Sequence, residues 1–273
     1  MLAATDLSFA YGDQRVLWDV SLIVPEGGMV GVLGPNGCGK TTLLRLLAGA
    51  LTPTSGTIAL DGRPIATLDR RSIARRVSVV PQHTHLAFDY SVQEVALMGR
   101  YPHLGAFEVE GPADLAAAHA ALEATGTLHL AHRAFTTLSG GEQQRVAIAS
   151  ALAQLDVRAS VTPAAAAAAK APRVLLLDEP TASLDLRYQV EIAALVARLH
   201  DEGQATDAPL SILTSTHDLR FASTVCTTLV MLAEGRVVAV GAPAQVLTVD
   251  TLSSVYGLAP DLAASLLPTG VWR

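Results

Sequence analysis

Cysteine is nearly absent. Cys38 and Cys226 are the two in 273 residues, too few for a disulfide framework, so a reducing compartment suits the chain. Aromatic residues make up 4%, which leaves Ala, Val and Leu to fill the core, and a hydrophobic fraction of 50% gives ample material for one. Charged residues are sparse at 16%, and the net charge of -6 argues against a basic coat for nucleic acid, so no nucleic-acid partner is expected. No run reaches the roughly 18 consecutive apolar residues that span a bilayer. Met1-Leu2-Ala3-Ala4-Thr5-Asp6 has neither a basic segment nor an apolar stretch, so no secretory leader is expected. Any membrane role would need another protein to hold the chain in place. The length suits one α/β domain with an inserted lobe.

Strands are expected over residues 2–10 and 17–24, around the turn signal Tyr11-Gly12-Asp13. Met29-Val30-Gly31-Val32-Leu33 is a short apolar run that leads into a glycine-rich loop, and Thr41 to Ala50 carries Leu43, Leu44, Leu46 and Leu47 at helical spacing. Gly56 to Gly62 alternates and closes on Asp61-Gly62, a strand entering a hairpin turn. From about Ser91 to Ala153 the pattern turns helical and alanine-rich. Strand character returns at Arg173–Leu177 and Leu210–Ser215, with a helix from Leu186 to Asp201 between them, and again at Val237–Val240 before short helices. Strands alternating with helices imply a mainly parallel sheet. Asp156 to Pro172 holds Thr162-Pro163 and an unbroken alanine run, Ala164 to Ala169, and reads as a low-complexity surface insertion.

The chemistry lies in four strings along this frame. The first is Gly34-Pro35-Asn36-Gly37-Cys38-Gly39-Lys40-Thr41-Thr42, placed between strand and helix. Its glycines let backbone N–H groups approach phosphate oxygens, and the helix that follows turns its positive end to the same anion. Lys40 would serve the β- and γ-phosphates, Thr41 offers a hydroxyl to Mg²⁺, and Thr42 reaches the neighbouring phosphate. Cys38, at a helix start beside Lys40, is expected to have a lowered thiol pKa and to be open to alkylation that ATP blocks. In the second string, Leu138-Ser139-Gly140-Gly141-Glu142-Gln143, a hydroxyl and two glycines open a helix, an anion site by the same logic. The third, Val174-Leu175-Leu176-Leu177-Asp178-Glu179-Pro180, puts Asp178 at the end of a buried strand as a Mg²⁺ ligand and Glu179 beside it to orient or deprotonate water. The fourth is His217-Asp218, after another strand.

Together these strings resemble those of the ATP-binding-cassette (ABC) ATPases, the nucleotide-binding subunits of ABC transporters; the Leu138–Gln143 string matches that family's signature. The resemblance runs from about Leu2 to Val249 and departs from the family at 156–172. It implies an α/β fold of the P-loop NTPase type: an N-terminal antiparallel β-subdomain, a mainly parallel RecA-like sheet and an inserted helical lobe. The domain would cover 1–249, with the lobe at about 88–153 and a tail at 250–273. It further implies that two copies sandwich two ATP molecules head to tail, with Ser139, Gly140, Gly141 and Gln143 meeting the ATP held by the other copy. Gln82, after Val80-Pro81, matches the glutamine that senses Mg²⁺ and the membrane partner. Tyr11, with Phe9 as the alternative, fits the aromatic stacked on adenine. Asp185, in Ser183-Leu184-Asp185, fits the loop that crosses the dimer, and His217 the histidine that contacts the γ-phosphate.

Within the family, Gly99-Arg100-Tyr101-Pro102-His103 and Leu184-Asp185-Leu186-Arg187-Tyr188-Gln189 resemble importers of ferric siderophores, haem and cobalamin. The resemblance implies a peripheral subunit on the cytoplasmic face of the membrane. It would work with two permease subunits, indirectly with a substrate-binding protein, and with Gln82 to Tyr101 facing the permease. Ferric siderophore is the leading cargo; haem and cobalamin are alternatives. An exporter-type subunit or a soluble cassette ATPase fits less well, since the chain carries one cassette and no heptad run.

Overall fold

A computed structural model describes residues 1–84, 86–156, 172–204 and 209–267. Along the chain run β1 (Leu2–Tyr11), β2 (Gln14–Val24), β3 (Met29–Leu33), α1 (Lys40–Leu47), β4 (Ser55–Leu60), β5 (Arg63–Pro64), α2 (Arg70–Ala74), β6 (Val77–Val80), α3 (Val92–Met98), α4 (Pro112–Ala124) and α5 (Gly140–Leu155). Then come β7 (Arg173–Asp178), α6 (Leu186–Gln204), β8 (Leu210–Thr216), α7 (Leu219–Val225), β9 (Thr228–Ala233), β10 (Arg236–Gly241), α8 (Pro243–Val246), α9 (Val249–Tyr256) and α10 (Pro260–Leu266). These elements fall into two compact bodies. The first comprises Met1–Leu68, Leu177–Glu179 and the described residues from Ser211 onward; the second comprises the described residues of Asp69–Leu176 and Pro180–Leu210.

In the first body β2, β1, β4 and β5 form an antiparallel sheet in that order. Leu2 pairs with Val24 on one side and Leu60 on the other, and all three side chains are fully buried. The body's second set of strands runs in the order β10, β9, β3, β8. β3 pairs parallel with β8, Met29 opposite Ile212, and parallel with β9, Val30 opposite Thr228. Every residue of β3 is buried, which explains why Met29–Leu33 reads as a continuous apolar run rather than an alternating one. β9 and β10 close through Glu234-Gly235, both at positive φ, a tight two-residue hairpin. The C-terminal helices contribute Leu252 and Ala263, both fully buried.

The second body is helical around α5. Helices α3, α4 and α5 pack pairwise, and their buried surfaces are largely alanine: Ala117, Ala118 and Ala121 on α4, and Ala147, Ala149, Ala151 and Ala153 on α5. Small side chains let helix backbones approach, and Gly99 marks the tightest approach, because a Cβ there would overlap the carbonyl oxygen of Ser150. β7 lies next to β6. The alanine run 164–169 lies outside the described residues. Its flanks are placed: Asp156 ends α5 in a left-handed conformation, and the carbonyl of Pro172 accepts a hydrogen bond from Arg76 Nε at 3.4 Å. No helix among the described residues is long and apolar enough to cross a membrane.

Candidate active site

β3 delivers the chain into the glycine-rich loop. Gly34 sits at φ 156°, and a Cβ on it would run into the carbonyl oxygen of Leu232 on β9. Gly39, at φ 107°, would bring a Cβ within 2.6 Å of Leu17 Cδ2 on β2. The loop therefore passes where side chains cannot, pressed between two strands. α1 starts on Gly39, which offers no side-chain cap, so the helix's leading N–H groups are left for an anion. Lys40, at the first helical position, is 5% exposed; its ammonium donates to the carbonyls of Gly34 (2.9 Å) and Pro35 (3.1 Å) and lies 3.3 Å from Glu179 Oε1.

The tip of β7 faces the same lysine. Asp178 is buried, and its Oδ1 accepts from Ser215 Oγ at 2.6 Å. Glu179 turns at φ 47°, which swings its side chain away from that of Asp178, and its N–H donates to both the carbonyl and the hydroxyl of Ser215, each at 3.0 Å. The carboxylate of Glu179 bridges Lys40 and His217, whose Nδ1 lies 3.2 Å from Oε2. His217 is more than half exposed, while the adjacent Asp218 is spent as the cap of α7, accepting from the N–H groups of Arg220 and Phe221. Three residues from separate strings, Lys40, Glu179 and His217, are thus brought into one cluster. Ser215 was not anticipated as part of it. The available signal was a polar triplet, Thr214-Ser215-Thr216, closing a strand, and all three are buried.

Tyr11, at the end of β1, is 45% exposed and meets the buried Phe9 edge-on, ring centroids 4.8 Å apart, so Tyr11 and not Phe9 presents a face outward. Asn36 and Gly37 are exposed, Pro35 and Thr41 half-buried, and Thr42 buried. Cys38 corrects an expectation. Its thiol is turned inward, against Gly34, and burial raises its pKa; Lys40 and nearby N–H groups pull the other way but are outweighed. The predicted low-pKa, alkylation-prone thiol has no basis in this geometry.

In the second body Ser139 caps α5 in a complete capping box. Its N–H and hydroxyl both donate to Glu142 Oε2 at 2.8 Å, and its hydroxyl accepts from the Glu142 N–H at 3.4 Å. The hydroxyl expected to be open is therefore engaged by its own helix. Gly140 is exposed, but Gly141 is buried under the ring of Tyr188. Gln143 folds back, its Nε2 donating to the carbonyls of Phe135 (3.2 Å) and Leu138 (3.3 Å). Asp185 precedes α6 and caps it, accepting from the N–H of Tyr188 at 3.1 Å. Gln82 follows β6 and is half-buried.

The Gly99–His103 string is largely structural. Arg100 is buried, pairing with Asp114 (3.0 Å) and Asp156 (2.8 Å) and donating to the carbonyl of Ala153 (2.7 Å). His103 Nε2 contacts the carbonyl of Gln154 at 2.7 Å, and the carbonyl of Pro102 accepts from Arg75 Nε at 2.8 Å. Four of the five residues thus clamp α5 or α2 rather than face outward; Tyr101, 57% exposed, is the exception.

A glycine-lined loop with a buried lysine, an Asp-Glu pair at a strand end and a histidine on the same glutamate define a phosphate-loop nucleotide hydrolase. The chain belongs to the ABC transporter family: the model described as "ABC transporter" matches residues 17–156. It is an ATPase of that family, of the ATP-binding importer-subunit type. It is similar to the hemin import ATP-binding protein HmuV of Myxococcus xanthus, 45% identical over 247 residues, spanning 90% of this chain and 86% of that one. HmuV of Bordetella pertussis is 43% identical over 263 residues, covering 96% and 94%. Among solved structures, an inward-facing ABC transporter of metal-chelate type aligns with a TM-score of 0.74 at 29% identity, covering 94% of this chain and 89% of that one.

Proposed function

We propose that this chain is the ATP-hydrolysing subunit of a haem importer, peripheral on the cytoplasmic face of the membrane. The observation that carries the catalytic half of this reading is the Lys40–Glu179–His217 cluster, in which one carboxylate is held between the phosphate-loop lysine and a histidine. In the working cycle Tyr11 stacks on adenine. The backbone N–H groups of Gly34 to Thr42, Pro35, Asn36 and Cys38 included, cradle the phosphates, and Lys40 moves from the loop carbonyls to the β- and γ-phosphates. Glu179 then takes a proton from the attacking water, and His217 holds the γ-phosphate and the glutamate in register. Ser139, Gly140, Gly141, Gln143 and Asp185 complete the site of a second copy in a head-to-tail dimer, whose closing and reopening drives two permease subunits.

The residues present fit Mg²⁺. Asp178 is a buried carboxylate with one hydrogen-bond donor, Ser215, and a cation accounts for its remaining charge. Thr41 and Asp178 would hold it; when bound it would neutralise phosphate charge.

The cargo reading moves from ferric siderophore to haem, because relatives at 45% and 43% identity carry the hemin-import name. A cobalamin import ATP-binding protein of Halobacterium salinarum is 39% identical, though the match covers 58% of its length. The test is ATPase activity of the chain reconstituted in lipid with its permease, with binding protein loaded in turn with haem, ferric siderophore or cobalamin. Stimulation by the haem-loaded protein alone is the expected result. Stimulation by another cargo overturns the haem assignment and leaves the ATPase reading standing.

A further inference from the structure

The two glycines of the signature turn have different surroundings. Gly140 is exposed, with Leu184 Cδ2 3.3 Å from where its Cβ would stand. Gly141 is buried, and a Cβ there would collide with one edge of the Tyr188 ring, at Cδ1 and within 2.6 Å of Cγ and 2.9 Å of Cε1. These are the root and flank of a ring, not the tip of a flexible chain, so the ring would have to swing away. Nothing in the backbone of Gly141 demands glycine: it is an ordinary helical residue in the first turn of α5. The backbone from which the ring springs is tied down, because the Tyr188 N–H donates to Asp185 at the start of α6. One turn further along, Glu191 on α6 lies 3.4 Å from Arg145 on α5.

We propose that Tyr188 is a positioning residue for the signature turn: its ring fills the space where a Gly141 Cβ would stand and, with the Glu191–Arg145 pair, sets the first turn of α5 against the start of α6. Within the single chain, glycine at 141 is then required by the ring of Tyr188. Movement of the Ser183–Asp185 loop reaches Ser139 and Gly140 through this contact. The proposal rests on the reading that the signature turn completes the partner's ATP site.

The test uses the full chain in a Glu179→Gln background, with ATP-dependent dimerisation as one readout and amide exchange of Glu142 and Gln143 in the monomer as the other. Gly141→Ala should weaken dimerisation roughly tenfold to a hundredfold, the scale of a misplaced catalytic group, and speed exchange at both amides. Tyr188→Ala should weaken dimerisation less, Tyr188→Phe should retain it, and MgATP affinity of the monomer should be unchanged throughout. The decisive variant is Gly141→Ala combined with Tyr188→Ala, which should recover most of what Gly141→Ala loses. If the double variant is as impaired as Gly141→Ala in both readouts, the ring is not what requires glycine and the proposal fails. If Glu179→Gln itself does not dimerise with ATP, the dimer reading fails instead, and exchange in the monomer still decides the role of Tyr188.

Discussion

Helix α1 starts on Gly39, in a left-handed conformation and with no side chain over its first N–H groups, whereas α5 starts on Ser139 with a closed capping box. Both starts are glycine-rich and both read as anion sites. At α1 the neighbouring charge is an ammonium, Lys40, buried on the loop's own carbonyls. At α5 it is a carboxylate, Glu142, which already accepts two hydrogen bonds from Ser139 and has its pKa lowered by them. An uncapped start beside a buried cation binds phosphate unaided; a capped start beside a carboxylate is a poor anion site by itself. The difference predicts a division of labour: α1 should hold nucleotide in the single chain, and α5 should contribute once a phosphate is delivered to it.

The comparison breaks most severely at Glu179. Glu179→Gln should lower kcat by roughly 10²–10⁴-fold while MgATP binding, read by isothermal titration, persists; turnover near wild type would remove Glu179 from the proton transfer. Lys40→Ala strikes the α1 side. It should lower kcat by roughly 10²–10³-fold and, unlike Glu179→Gln, weaken nucleotide binding in the isolated chain. Ser139→Ala opens the cap of α5 and should cost about 1 kcal/mol of stability in urea unfolding, with MgATP affinity unchanged. A loss of MgATP affinity in the monomer would erase the contrast between the two starts.

The smallest effect concerns His103, in the clamp at the far end of α5. Burial holds its imidazole pKa below the ordinary value, outweighing the hydrogen bond to the carbonyl of Gln154. The unfolded chain then takes up a proton that the folded chain does not, so stability falls as pH drops from about 6.5 toward the depressed value. Melting temperature should therefore decline less between pH 7 and pH 5.5 in His103→Gln than in wild type. An equal decline would show that the ring is not the group responsible.

Much of this was legible in order along the chain. The apolar run Met29–Leu33, the glycine-rich loop and Leu43–Leu47 announce strand, loop and helix because each uses local chemistry: full burial, glycine torsions and a helical apolar stripe. β6 went unread, since four residues are too short a window for any periodicity. The cysteine beside Lys40 was misjudged, because neighbours in sequence report charge but not desolvation. That Arg100 is a buried clamp was not legible, because its partners Asp114 and Asp156 lie 14 and 56 residues away.

By itself the sequence determined the family and the nucleotide, because loop glycines, a lysine and strand-end carboxylates act through local chemistry that their spacing already specifies. Only the tertiary structure decided which groups are available. It placed Ser215 under Asp178 and Glu179, turned Cys38 inward, closed the hydroxyl of Ser139 on Glu142 and laid Tyr188 over Gly141. Availability depends on what packs against a group from elsewhere in the chain, and no local pattern carries that.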